Sequence, residues 1–226
     1  MIGPIWVIAD NTFREAIRNK ILYILLLVAL GLIASSVFFG KLSLDQSVRV
    51  VIDFGMGTIS FFGVVIAIFI GVNLLYQELD RKTLYTVLVR PIARAQFVLG
   101  KYLGMLLTLT VMTVVMSLVL VLLLLANEQT PHLPLLQAIY LSFVELTIVV
   151  AVAVFFSAFS TPFLSGAFTF GIFLLGRLKA DLFTYLPQLK LGPLAEVLQG
   201  VSCLLPNLYR YEVVDRVIYD LPLSSA

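Results

Sequence analysis

The sequence predicts an all-α integral membrane protein, a polytopic helical bundle. Three observations carry that prediction. Hydrophobic residues make up 61% of the 226-residue chain and charged residues only 12%, against about 25% charge in soluble domains. Apolar runs recur at 21–39, 55–76, 98–125, 136–158 and 162–178, close to or above the roughly 20 residues that a spanning helix needs. These runs are continuously apolar, whereas the lipid-facing strands of a barrel alternate over about ten residues. With a mean hydropathy of +1.06, the solvent of most of this chain is lipid.

Residues 5–20 come first. Trp6, Ile8, Ala9, Phe13, Ala16 and Ile17 fall near helical spacing, with Asp10, Arg14, Glu15, Arg18 and Lys20 in the other positions. This pattern suits a helix lying along the cytoplasmic interface with Trp6 as its anchor; a frayed terminus with a few basic residues is the plainer alternative. Arg14, Arg18 and Lys20 precede the first span, so the positive-inside rule places the N-terminus in the cytoplasm. The segment 40–54 has balanced charge and is expected to be an outer loop. Span two returns to a connector at 77–97 carrying Arg81, Lys82, Arg90 and Arg94. Span three leads out to 126–135, which has no Lys or Arg. Span four returns to a tight uncharged turn near Ser160, Thr161 and Pro162, and span five leads out again, ending near Arg177. No cleavable signal pattern is visible, since the first apolar run follows an amphipathic stretch and no A-x-A site follows it.

Residues 179–226 differ in kind. They contain Pro187, Pro193, Pro206 and Pro222 and no run long enough to span, with one short amphipathic helix expected at 194–205. With five spans this stretch lies on the outer face. Its length makes it able to present a surface to an outer, periplasmic partner.

Chemistry of the chain's own is scarce. One cysteine (Cys203) and one histidine (His132) offer neither an internal disulfide nor a metal cluster. There is no phosphate-cradling G-x-x-x-x-G-K-[ST], no H-E-x-x-H and no G-x-S-x-G. No catalytic residue, metal or cofactor is expected on this chain, and nothing points to nucleic acid. Any ATP and Mg must be bound by another chain. Glu145 is the acidic residue deep within an expected span, where a carboxylate costs about 2.5 kcal/mol or more. It is either a substrate-path or proton-linked residue or an interhelical hydrogen bond that fixes packing, and no basic partner is expected at its depth. Gly31 with Ser35, Gly100 with Gly104, and Gly166, Gly171 and Gly176 are small residues of the kind that let helices approach. Only the four-residue spacings hold one helix face.

The connector carries the most information. Glu78, then Arg81-Lys82-Thr83-Leu84, then Val89-Arg90-Pro91-Ile92-Ala93-Arg94, then Phe97-Val98-Leu99-Gly100-Lys101-Tyr102 resembles the signature of type-2 ABC export permeases. The basic N-terminal helix, Phe155-Phe156-Ser157 with Pro162 after it, and Leu205-Pro206-Asn207 fit the same family. Within it, the chain is most similar to the branch holding the membrane subunit of the exporter for copper-enzyme maturation in nitrous-oxide reduction. The resemblance implies a dimer, of two copies or of this chain with a homologous permease, on two cytoplasmic ABC ATPase subunits in the inner membrane. Glu78, Arg81, Lys82, Leu84, Leu88, Arg90, Pro91 and Arg94 would then form the coupling helix that docks in an ATPase cleft. The residue types agree. Leu84, Val87 and Leu88 suit an apolar pocket, Glu78, Arg81, Arg90 and Arg94 suit its rim, and Pro91 ends the helix because the residue before a proline is biased away from α. A loop held to anionic lipid by its basic residues is the alternative. The family normally has six spans. This sequence stops at 221–226 near where a sixth would begin, so the native protein is expected to continue or a five-span form to exist.

Three functions are therefore in play. The first is the permease subunit of an ATP-driven exporter or mechanical transducer. The second is a non-transporting membrane scaffold that anchors other subunits. The third is a channel or secondary transporter that uses Glu145.

Overall fold

The computed structural model describes residues 3–42, 47–80, 94–127 and 133–185. They form α1 (Gly3–Ile17), α2 (Lys20–Leu42), α3 (Ser47–Asp80), α4 (Arg94–Ala126), α5 (Leu133–Ser157) and α6 (Pro162–Tyr185), with no strand among the described residues. The chain is a multi-pass helical membrane protein. Among the described residues, four helices are long and apolar enough to cross a bilayer, at Lys20–Leu42, Val48–Val72, Ala95–Ala126 and Pro134–Ser157. The fifth expected span is also helical, but its described apolar stretch, Pro162–Arg177, is shorter than the other four.

Local chemistry sets the helix ends. Between α1 and α2 the chain breaks at Arg18–Asn19, where the Asn19 side-chain carbonyl accepts the Ile21 amide at 3.0 Å. An asparagine at this position satisfies one of the amides left free at a helix start. At the other tight turn Ser160 N donates to Phe156 O at 3.0 Å, and Ser165 N donates to Thr161 O at 2.8 Å. Pro162 opens α6, a position where its missing N–H costs nothing. The expected turn at 160–162 is present.

The expected outer loop at 40–54 is corrected. Helix α2 runs to Leu42 and α3 begins at Ser47. Of the segment's four charged residues, Arg49 and Asp53 lie one turn apart on α3, both exposed, while Val48 and Val51 are more buried. Balanced charge there marks an amphipathic helix end rather than a loop. At 34 residues, α3 is about 51 Å long, well beyond the roughly 30 Å of hydrocarbon.

Helix α3 is the axis of the bundle, packing against α2, α4, α5 and α6. Of its membrane-length stretch 67% is buried, against 22% for α2. Small residues allow the close packing. A Cβ on Gly63 would lie 2.6 Å from Leu146 Cδ1 of α5, and one on Gly71 would lie 2.7 Å from Ala153 Cβ. Further along both helices, Ser157 Oγ donates to Val72 O at 3.3 Å. The partners rise together, so α3 and α5 cross in the same direction. Against α6 the order reverses, with Gly166 at Ile68 and Arg177 at Ser60, so α6 runs antiparallel to α3. The outward faces carry Leu27, Phe38, Val114, Leu118, Leu122 and Phe163, an apolar surface that is untenable in water and suited to lipid.

Candidate coupling end and intramembrane polar layer

Of the coupling residues expected from the connector, two lie in described helices. Glu78 lies in the last turn of α3 and Arg94 is the first residue of α4. Arg81, Lys82, Leu84, Leu88, Arg90 and Pro91 lie outside the described residues. The two helices that bracket them pack side by side. Helix extends further into the expected 77–97 connector than its charge suggested, from α3 up to Asp80 and from α4 back to Arg94.

Beside this end, α1 packs chiefly along α4. Its buried face is Ala9, Thr12 and Ala16, while Trp6 at 58% and Val7 at 70% exposure point away from the protein. The contact is made at Gly100 and Gly104. A Cβ on Gly100 would lie 2.9 Å from Ile8 Cβ and 3.0 Å from Ile5 O. One on Gly104 would lie 2.6 Å from both Ala9 O and Thr12 Cβ. The GxxxG pair is therefore a true helix–helix seam. By contrast, Gly31 and Gly171 have nothing within 4 Å. Lys101, between the two seam glycines, is 3% exposed, with its ammonium 5.8 Å from the Phe97 ring centroid. Tyr102 Oη donates to Thr147 O of α5 at 3.1 Å. The helix that leaves the connector is thus joined to α1 on one side and to α5 on the other.

A second polar feature lies halfway through the bundle. Arg177 Nη1 donates to Ser60 Oγ at 2.9 Å, and its guanidinium carbon is 5.8 Å from the Phe173 centroid. Ser60 is the midpoint of the Val48–Val72 stretch, so the guanidinium turns back to mid-depth instead of reaching the interface. A charged side chain there costs roughly 2.5–3.5 kcal/mol on insertion scales. Glu145 is 2% exposed and precedes Leu146, which meets Gly63 one turn along from Ser60. The expectation that no basic residue shares Glu145's depth is corrected. Arg177 does, and sequence reading missed it because arginines closing apolar runs normally reach outward. Its one local signal was Phe173, four residues earlier.

Most hydroxyls in the spans are satisfied locally. Those of Thr58, Thr108, Thr147 and Thr169 donate to the carbonyl four residues back at 2.7–3.0 Å. Thr113 Oγ1, Ser117 Oγ and Ser165 Oγ are buried and make no hydrogen bond among the described residues. No group of three or more His, Cys, Asp or Glu gathers among the described residues.

Residues 6–196 match the family model described as ABC-2 family transporter protein. No curated protein matches the chain. The match spans most of the sequence and agrees with a polytopic helical bundle built around a charged connector. The chain belongs to the ABC-2 transporter family, as a membrane permease component of an ABC transporter.

Proposed function

We propose that this chain couples ATP hydrolysis on a separate cytoplasmic ABC ATPase to export, or to mechanical transmission, across the inner membrane. It works as a dimer with its N-terminus in the cytoplasm. ATP and Mg are bound by the partner subunit. The residues from Glu78 to Arg94 form the coupling element, with Leu84, Val87 and Leu88 suited to an apolar cleft of the ATPase and Glu78, Arg81, Arg90 and Arg94 to its rim. The chain's resemblance to the branch that holds the copper-enzyme maturation permease of nitrous-oxide reduction makes that branch one functional model for it.

The observation that supports coupling is the Gly100–Gly104 seam. Motion delivered to the start of α4 cannot stay local, because Ala9 and Thr12 of α1 lie against these glycines. Tyr102 passes the same displacement to α5. A push on the connector therefore moves α1, α4 and α5 together.

Co-purification from the native membrane tests the reading. The permease should bring down a soluble ATPase whose hydrolysis changes when the two are reconstituted. Glu78→Lys, Arg81→Glu or Leu88→Asp should abolish that change while the chain still inserts and elutes as a folded particle. Full coupling in all three variants would show that the connector is not the docking element. An ATPase indifferent to the permease would favour the scaffold.

A further inference from the structure

We propose that the corner between α1 and α2 binds an anionic phospholipid, with Arg18 and Lys20 at the headgroup and the exposed face of α2 along the acyl chains. The corner is tight. Asn19 N donates to Ala16 O at 3.0 Å and Leu22 N donates to Asn19 O at 3.2 Å, so one helix passes into the next without a loop. Ala16 and Leu22 are buried. Arg14 and Arg18 each lie two residues from Ala16, and Lys20 lies two residues from Leu22, which is about 200° around a helix. All three cations are accordingly exposed. Arg14 is engaged, 2.9 Å from Asp10. Arg18 and Lys20 make no ion pair or side-chain hydrogen bond among the described residues.

The lipid-facing surface starts where these cations end. Ile21, Ile24, Leu27 and Val28 follow on α2 and are 44–72% exposed. Lys20 opens the 23-residue apolar stretch Lys20–Leu42, about 33 Å long, slightly more than the roughly 30 Å of hydrocarbon. Arg18 and Lys20 therefore stand at the hydrocarbon edge, level with lipid phosphates. The α1–α4 seam holds them there, because turning α1 to hide its cations would take Ala9 and Thr12 off Gly104. A headgroup of net negative charge complements the two cations. A zwitterionic headgroup brings its own cation to the same place and gains less. Each Lys or Arg near an anionic membrane surface strengthens binding roughly fivefold. Lys41, exposed near the other end of α2, serves as the control.

The test uses the full chain in vesicles of equal parts phosphatidylglycerol and phosphatidylcholine, without the ATPase. Both leaflets then have one composition, so the outcome is independent of the chain's orientation and of the coupling reading. Trp6 is the chain's one tryptophan. Trp6→Phe with Ile24→Trp moves the indole to an exposed position one turn along from Lys20, where bromine on a neighbouring acyl chain quenches it on contact. Brominated phosphatidylglycerol should quench more than brominated phosphatidylcholine, with a relative affinity of about fivefold or more. Arg18→Gln with Lys20→Gln should bring that ratio close to one, while the charge-preserving Arg18→Lys with Lys20→Arg should keep it. Lys41→Gln should keep it too. If the double Gln variant fails to insert, each single Gln variant should lower the ratio. Equal quenching by the two lipids, a preference that survives the Gln variants, or an equal loss on Lys41→Gln each overturn the proposal.

Discussion

Replacing Gly104 with alanine adds one methyl group at the tightest point of the α1–α4 seam. That methyl would lie 2.6 Å from the Ala9 carbonyl oxygen and 2.6 Å from Thr12 Cβ. The carbonyl is backbone and cannot rotate aside. To reach the 3.4 Å of ordinary contact, α1 must retreat by about 0.8 Å. It would then also part from Gly100, one turn back on α4. Overpacking of this kind costs about 1–3 kcal/mol, a change of about 5- to 150-fold in the folding equilibrium. Gly31→Ala and Gly171→Ala, with nothing within 4 Å, provide matched controls expected within about 0.5 kcal/mol of the parent. The assay is equilibrium unfolding of the purified chain in mixed micelles, titrated with SDS. If Gly104→Ala matches the two controls, the seam is not a close contact and the route from connector to α1 fails with it.

Other expectations follow from the hydrogen bonds. Tyr102→Phe removes the donor to Thr147 O, and Ser157→Ala the donor to Val72 O. Each should cost about 0.6 kcal/mol, the average for interhelical hydrogen bonds in membranes, in the same SDS titration, and a gain in stability would contradict the assigned bonds. Thr113→Val and Ser117→Ala should be neutral or stabilising by up to about 1 kcal/mol, because burying a hydroxyl without a partner is a cost that the variants remove. A clear loss in both would mean that their hydroxyls have a partner. Asp10→Ala should change stability by no more than about 0.5 kcal/mol, because its 2.9 Å pair with Arg14 is exposed on both sides and such helix pairs are weak.

Much of the bundle was legible because lipid imposes a simple rule. A spanning backbone must satisfy its own hydrogen bonds, so a long apolar run is a helix. The runs ending at Leu42, Ala126 and Ser157 were placed within a few residues on that basis. The boundaries that failed share a cause. Arg49 and Asp53 looked like loop charges, yet on α3 they occupy one outward face. Charge marks where hydrocarbon ends, not where a helix ends. The candidate site was legible in a different way. The connector residues from Glu78 to Arg94 stood out by their pattern, and the family match covers them.

By itself the amino-acid sequence determined that this is a multi-pass helical membrane protein with one charged connector, because those properties follow from composition along a line. It also contained every glycine at the seam and both mid-depth charges. Which of them meet was decided only by tertiary structure. Gly100 and Gly104 touch α1 while Gly31 and Gly171 touch nothing within 4 Å, although all four lie in helices. Arg177 turns back toward Ser60 and the level of Glu145 only because α6 runs antiparallel to α3 beside α5. Depth in a bilayer can be counted along one helix, but contact depends on the rotation and offset between helices, and those are set by how their side chains pack.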